Sequence, residues 1–186
     1  MSKFDLTITL FTIVYGLMLS ELYVSVHRLI RARKRVHWHA LPLLAAWYIL
    51  MLIINNWWNL AFDPHATDSI SIYLFIAYGH LLLIIYLLAS AVLPDAIPET
   101  GMDLREYYFD NQRYFWGLVC CEMLILILID IGKLVFLGKH LMLAAVIGRC
   151  LFMVISVILM FNRKTWVHVS GLVFFLLVLF LEIGGK

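Results

Sequence analysis

The chain has 186 residues, 64% of them hydrophobic and 14% charged, with a formal net charge of +2 at pH 7. An ordinary soluble domain is roughly 45–50% apolar, so this composition, with a mean hydropathy of +0.95 and its apolar residues in long runs, excludes a soluble globular domain and indicates a polytopic membrane protein. The near-balanced charge gives no sign of a nucleic-acid partner, and the three cysteines (Cys120, Cys121, Cys150) lie inside apolar runs with no CxxC or Cys/His spacing, so neither a disulfide framework nor a metal site is expected.

The first apolar run predicts a helix over about residues 4–29. Asp5 and Glu21 lie in it and no small-residue cleavage site follows, so it reads as a retained helix and not a signal peptide. Glu21, Ser25 and Arg28 share one face, and Gly16 and Ser20 form a small-xxx-small pair that lets another helix approach. Five of the fourteen Lys and Arg then fall in Arg28–Arg35. Arg31, Arg33, Lys34 and Arg35 are candidate contacts for anionic lipid head groups, beside their ordinary role as a cytoplasmic topology signal. The second helix is predicted over about 41–62, with Tyr48, Asn55, Asn56 and Asn59 on one face and Trp57 and Trp58 turned outward. The asparagines either pack against neighbouring helices or line a wet cavity.

Asp68 or Ser69 is placed to cap a third helix, over about 70–93, which aligns Tyr73 with His80 and ends at Pro94. His80 falls near mid-membrane, where it is either hydrogen-bonded locally or part of a proton relay. The longest polar stretch follows, Pro94–Arg113. Thr100-x-x-Asp103 and Asp103-x-x-Glu106 resemble capping boxes, so an interfacial or cytoplasmic helix is expected from Asp103 into the fourth membrane helix, over about 114–136. That fourth run carries Glu122, Asp130 and Lys133 within a sector of roughly 80°. Carboxylates in hydrocarbon are costly, by about 2.5–3.5 kcal/mol on insertion scales, so this stripe is expected to face other helices.

A tight turn at about 137–139 leads into a fifth helix over about 140–161, with Arg149 near its middle and Ala144-xxx-Gly148 as a second close-packing pair. The sixth helix is predicted over about 166–183, with His168 and Ser170 at its inner end and Glu182 at its outer end. Nine Lys and Arg (Arg28, Arg31, Arg33, Lys34, Arg35, Arg105, Arg113, Arg163, Lys164) against four (Lys3, Lys133, Lys139, Lys186) favour both termini outside. By helical rise, Glu21 and Glu122 then both lie roughly 12 Å from the cytoplasmic edge, and Asp130, Asn55 and Asn56 roughly 10 Å from the outer edge. Arg149 is expected to pair with Asp130 or Glu122. The fold class is therefore all-α: a single transmembrane domain over residues 1–186 with six transmembrane helices. The two three-helix halves have opposite orientation, as in inverted repeats, although any even division of six spans gives this.

The stretches LSELYVSVHRLIRARKR, NNWWNL and DLREYYFDNQRYFWGL resemble a family of small bacterial six-span integral membrane proteins, uncharacterised in activity. The resemblance covers helices 1–4. It implies a bacterial inner (plasma) membrane and assigns no activity and no catalytic residue.

Two functions of different class compete. One is a proton- or cation-conducting channel or small transporter, whose path would use Glu21, His80, Glu122, Asp130 and Arg149, with Asn55, Asn56 and Asn59 at the outer mouth. Three acids exceed what one Arg neutralises, which calls for protonated carboxyls or a bound cation. The other is a membrane scaffold or sensor that binds a partner protein or anionic lipid on its cytoplasmic side, alone or as a homo-oligomer, with the buried charges purely structural. A haem protein using His27 and His168, which lie at similar depth, is a third reading that no motif supports. No cofactor and no catalytic residue are expected.

Overall fold

A computed structural model describes residues 3–62, 72–138 and 143–184. The described residues form six α-helices: α1 (Lys3–Arg31), α2 (Ala40–Ala61), α3 (Ile72–Ala91), α4 (Leu104–Leu137), α5 (Leu143–Phe161) and α6 (Thr165–Gly184). Five of them, α1, α2, α3, α5 and α6, are long and apolar enough to cross a membrane. The predicted cap at Asp68 or Ser69 and the start of the fifth helix at His140 lie outside the described residues.

The apolar spacing of α1 explains its docking. Phe11, Tyr15, Met18, Leu22, Ser25 and Leu29 recur at intervals of three and four and are all buried, the stripe that lets one helix lie along others. That stripe packs on α2 and α3. α2 begins at His39, whose Nδ1 accepts from the Leu41 N–H at 3.2 Å, and Pro42 is tolerated because it falls in the first turn. α2 touches every other helix except α5 in quantity and buries Tyr48, Ile49, Leu52 and Ile53. α5 packs chiefly on α4 and turns most of its apolar side chains outward.

α4 is one continuous helix of 34 residues, about 51 Å at 1.5 Å per residue. That exceeds the roughly 30 Å of a hydrocarbon core, and its polar residues Arg105, Glu106, Asp110 and Arg113 fall in its first turns, before the apolar run, as the polar-to-apolar change in sequence predicts. Asp103 caps α4: its carboxylate accepts from the N–H groups of Arg105 (2.7 Å) and Glu106 (3.2 Å). These bonds hold the exposed carboxyl below the usual carboxylate range. The helix ends at Gly138, whose φ of 62° is the left-handed conformation that glycine supplies at a helix end.

The basic segment after α1 is more ordered than a loop. Arg33–Arg35 form a 3-10 turn, and β1 (Val36–His37) pairs in parallel with β2 (Met102–Asp103). The Arg28 guanidinium donates to the Asp95 carbonyl at 3.0 Å. Gly101, at φ 92°, lies so close to the Arg35 carbonyl that a Cβ would stand 2.8 Å from that oxygen. This clip joins the segment after α1 to the segment before α4, two parts of the chain far apart in sequence. Behind it the Tyr107 hydroxyl donates to the Ala91 carbonyl at 3.0 Å, and burial pushes that phenol up to about 12.

Candidate functional site

The polar side chains gather at two levels of the bundle. The first is a vestibule of about 660 Å³ between α1, α2, α3, α4 and α5, lined by Tyr15, Asn56, Asn59, Tyr78, Asp130, Lys133 and Arg149 with apolar walls from Trp58, Leu60, Phe62, Leu126 and Ile129. Trp58 and Phe62 are exposed, so the space reaches the molecular surface at the end of α2. Arg149 of α5 forms an ion pair with Asp130 of α4, and the same Nη1 approaches the Leu126 carbonyl at 3.5 Å. Asp130 lies about as far before Gly138 as Arg149 lies after the connection, and in an antiparallel helix pair such positions face each other. That equidistance was available in the sequence, and it selects Asp130 over Glu122 as the partner. Lys133, one turn on from Asp130, places its ammonium over the Tyr78 ring at 5.8 Å from the centroid. Asn59 donates to Glu182 at 3.4 Å at the rim.

The second level is Glu122. Its side chain is completely buried, and neither carboxyl oxygen has a hydrogen-bond partner among the described residues. Tyr15, Tyr48 and Arg149 are within electrostatic reach of it. Tyr15 and Arg149 also line the vestibule, so the same two side chains border both levels. α4 thus turns Glu122 and Asp130, eight residues apart, toward the same interior, as two helical turns plus about 80° allow.

Other predicted site residues go elsewhere. Glu21 flanks the buried stripe of α1 and is only partly covered. Since the Glu122 oxygens are unbonded, Glu21 does not share a proton with it. His80 is exposed and its Nδ1 lies 2.8 Å from the Ile76 carbonyl, the local satisfaction open to any lone histidine on a helix. Asn55 lines a separate cavity of about 290 Å³ with Ile54, Trp58 and Ile183, whereas Asn56 donates to the Leu52 carbonyl at 3.0 Å and, with Asn59, lines the vestibule. Trp57, expected to turn outward, is half-buried and donates to the Thr12 hydroxyl at 3.3 Å. Arg31, Arg33, Lys34 and Arg35 are all exposed at the clip.

The haem reading does not survive the geometry of His168. Both of its ring nitrogens are engaged, Nδ1 with the Tyr108 hydroxyl at 3.0 Å and Nε2 with the Asn162 carbonyl at 2.6 Å, while His27 is exposed. Trp116 Nε1 donates to the Tyr108 hydroxyl at 3.1 Å. A carbonyl can only accept, so the bonding assigns the proton of His168 to Nε2, and Tyr108 donates to Nδ1. The chain Trp116, Tyr108, His168, Asn162 fastens α4 to α6 within an aromatic cluster that includes Phe175. Sequence reasoning missed this cluster, and it missed Tyr15 and Tyr78 in the vestibule, because each depends on which helices are neighbours. Among the described residues no group of three or more His, Cys, Asp or Glu is arranged to hold a metal ion.

No family model, no curated protein and no solved structure matches this chain.

Proposed function

We propose that the protein is a six-span integral membrane protein, with α4 as the sixth crossing helix, that moves protons between the vestibule and the opposite side by way of Glu122. The observation that carries this reading is the isolation of Glu122: a carboxyl fully buried, with no hydrogen bond to either oxygen. A buried carboxylate without partners is destabilised by several kcal/mol and neutralises by taking up a proton. Such a group is costly as a structural element and suited to exchanging a proton when a path to water opens. The vestibule supplies an aqueous approach, and Tyr15 and Arg149, which line it, are within electrostatic reach of Glu122. Arg149 and Lys133 beside the route disfavour free metal cations and leave protons as the species that fits. Asp130 serves as the counter-ion of Arg149 rather than as a proton carrier.

The test is pH-driven flux in liposomes. Wild-type protein is expected to dissipate a pH gradient, and Glu122→Gln, which keeps size and hydrogen-bonding groups, is expected to fold normally and abolish the flux. Wild-type liposomes no leakier than empty ones, at either sign of membrane potential, would sink the proposal. The scaffold or sensor reading would then stand. Its supporting observation is the rigid basic clip, where Arg31, Arg33, Lys34 and Arg35 are exposed on a backbone fixed by strand pairing, a fit for anionic lipid or an acidic partner protein on the cytoplasmic side.

A further inference from the structure

Among the described residues, the lining of the vestibule carries two cations, Lys133 and Arg149, and one carboxylate, Asp130. Arg149 uses only Nη1, toward Asp130 and the Leu126 carbonyl. Its Nη2 and Nε make no hydrogen bond among the described residues. Lys133 forms no ion pair among the described residues, and its ammonium rests over the Tyr78 ring. Two further acids are within electrostatic reach of Arg149 without lining the space: Glu182, at the rim with Asn59, and the buried Glu122. Within the lining, Asp130 is taken up by Arg149, and the Lys133 ammonium has no carboxylate within ion-pair distance among the described residues. A lysine ammonium has three donors and a guanidinium presents a planar fork that matches a carboxylate. Beside the polar groups of Tyr15, Asn56, Asn59 and Tyr78, the walls include the apolar side chains of Trp58, Leu60, Phe62, Leu126 and Ile129. A space of about 660 Å³ is within the range of about 300–1,000 Å³ of small-ligand pockets, which combine apolar walls with a few convergent polar groups.

We infer that the vestibule binds a small organic carboxylate with an apolar body, its carboxylate held between Lys133 and the free edge of Arg149 and its body against Trp58 and Phe62. The ligand comes either from water, as an aryl or short acyl carboxylate, or from the bilayer, as a fatty acid. The chemistry recognised is the same. This inference shares the vestibule with the proton reading and does not depend on it, because binding is read without flux. If both hold, a proton on Glu122 beside a bound carboxylate makes a neutral pair, the charge balance of a proton-coupled carboxylate carrier.

The experiment uses the full chain in nanodiscs of zwitterionic lipid at constant ionic strength, with benzoate, its neutral analogue benzamide and dodecanoate as probes, followed by calorimetry and tryptophan fluorescence. Benzoate is expected to bind saturably and benzamide at least tenfold more weakly. Lys133→Gln should weaken benzoate at least tenfold at an unchanged melting temperature, and Lys133→Arg, which retains the charge, should stay within about threefold of wild type. Saturable binding of dodecanoate alone, lost in Lys133→Gln, supports the site and assigns its ligand to the bilayer. Equal binding of benzoate and benzamide, binding indifferent to Lys133→Gln, or no saturable binding of either carboxylate would overturn it. The comparison of benzoate with benzamide uses wild-type protein and holds even if a variant misfolds. Flux lost in Glu122→Gln with benzoate binding intact separates the two proposals, as does binding in a protein that passes no protons.

Discussion

Glu122 and Asp130 show how two like residues on one helix acquire different roles. Asp130 meets a guanidinium and is neutralised as an ion pair. Glu122 has Tyr15, Tyr48 and Arg149 within electrostatic reach, but its oxygens accept no hydrogen bond among the described residues. Removing one member of a buried pair leaves the other charge uncompensated, at about 3–5 kcal/mol in soluble proteins. Arg149 and Asp130 keep roughly a quarter of their side-chain surface accessible (24% and 21%), so the lower end of that range applies. Arg149→Ala is expected to lower the melting temperature of the detergent-solubilised protein markedly, and the double variant Arg149→Leu/Asp130→Leu to recover most of the loss. A double variant as unstable as the single one would show that the pair is not what holds α5 to α4. Tyr108 gives a second residue-level test. Its hydroxyl is both acceptor for Trp116 and donor to His168, so Tyr108→Phe strands two buried groups. A loss of about 1–3 kcal/mol is expected for each stranded group, and a variant as stable as wild type in chemical denaturation would contradict that bonding.

At the level of elements, the ends of α4 are specified more sharply than its middle. Asp103 caps one end and Gly138 closes the other. The Asp103 carboxyl is held below its ordinary value by the two N–H groups it accepts from. A depressed carboxylate adds stability that is fully present above the unfolded value of 3.8 and is lost as pH falls through the folded one. Hydrogen exchange at the Arg105 and Glu106 amides should therefore accelerate only at pH below about 4, and Asp103→Ala should bring that fraying to neutral pH. Amides equally protected in the variant at pH 7 would refute the cap. The clip at the other side of Asp103 depends on Gly101. Its left-handed φ costs a side chain roughly 1–2 kcal/mol, and the Arg35 carbonyl blocks the Cβ as well. Gly101→Ala is expected to loosen the pairing of Val36–His37 with Met102–Asp103, visible as faster exchange at those amides and little change within α2 or α3. Uniform loss of protection across the helices would instead make the clip part of the global folding unit.

Across the whole molecule, the proposed orientation places both ends of the chain outside and the basic clip in the cytoplasm. In a variant without native cysteines, a single cysteine at position 34 should resist impermeant thiol reagents in intact cells and react once the membrane is opened. Reaction in intact cells would reverse the orientation and turn the vestibule toward the cytoplasm. The bundle is closed at the end that carries the clip and open at the opposite end. The aromatic cluster of Tyr108, Trp116, His168 and Phe175 fills the bundle near the clip, and the vestibule occupies the far ends of α2 and α4.

The sequence by itself determined the six helices, the long extension of α4, the cap at Asp103 and the need of Arg149 for an acid on α4. Each of these follows from local physics: apolar runs too long for a soluble core, a carboxyl poised before a helix, a charge that cannot remain alone in hydrocarbon. Tertiary structure decided which acid that is, and it separated Asn55 from Asn56 and Asn59 although all three share a predicted face. It also turned His80 outward and withdrew Glu21 from Glu122. A helical wheel assigns directions relative to one axis, while a site depends on the rotation of each helix against its neighbours. That rotation is set by side-chain packing between elements distant in the chain, as with Tyr15 of α1, Tyr78 of α3 and Arg149 of α5 around a single vestibule.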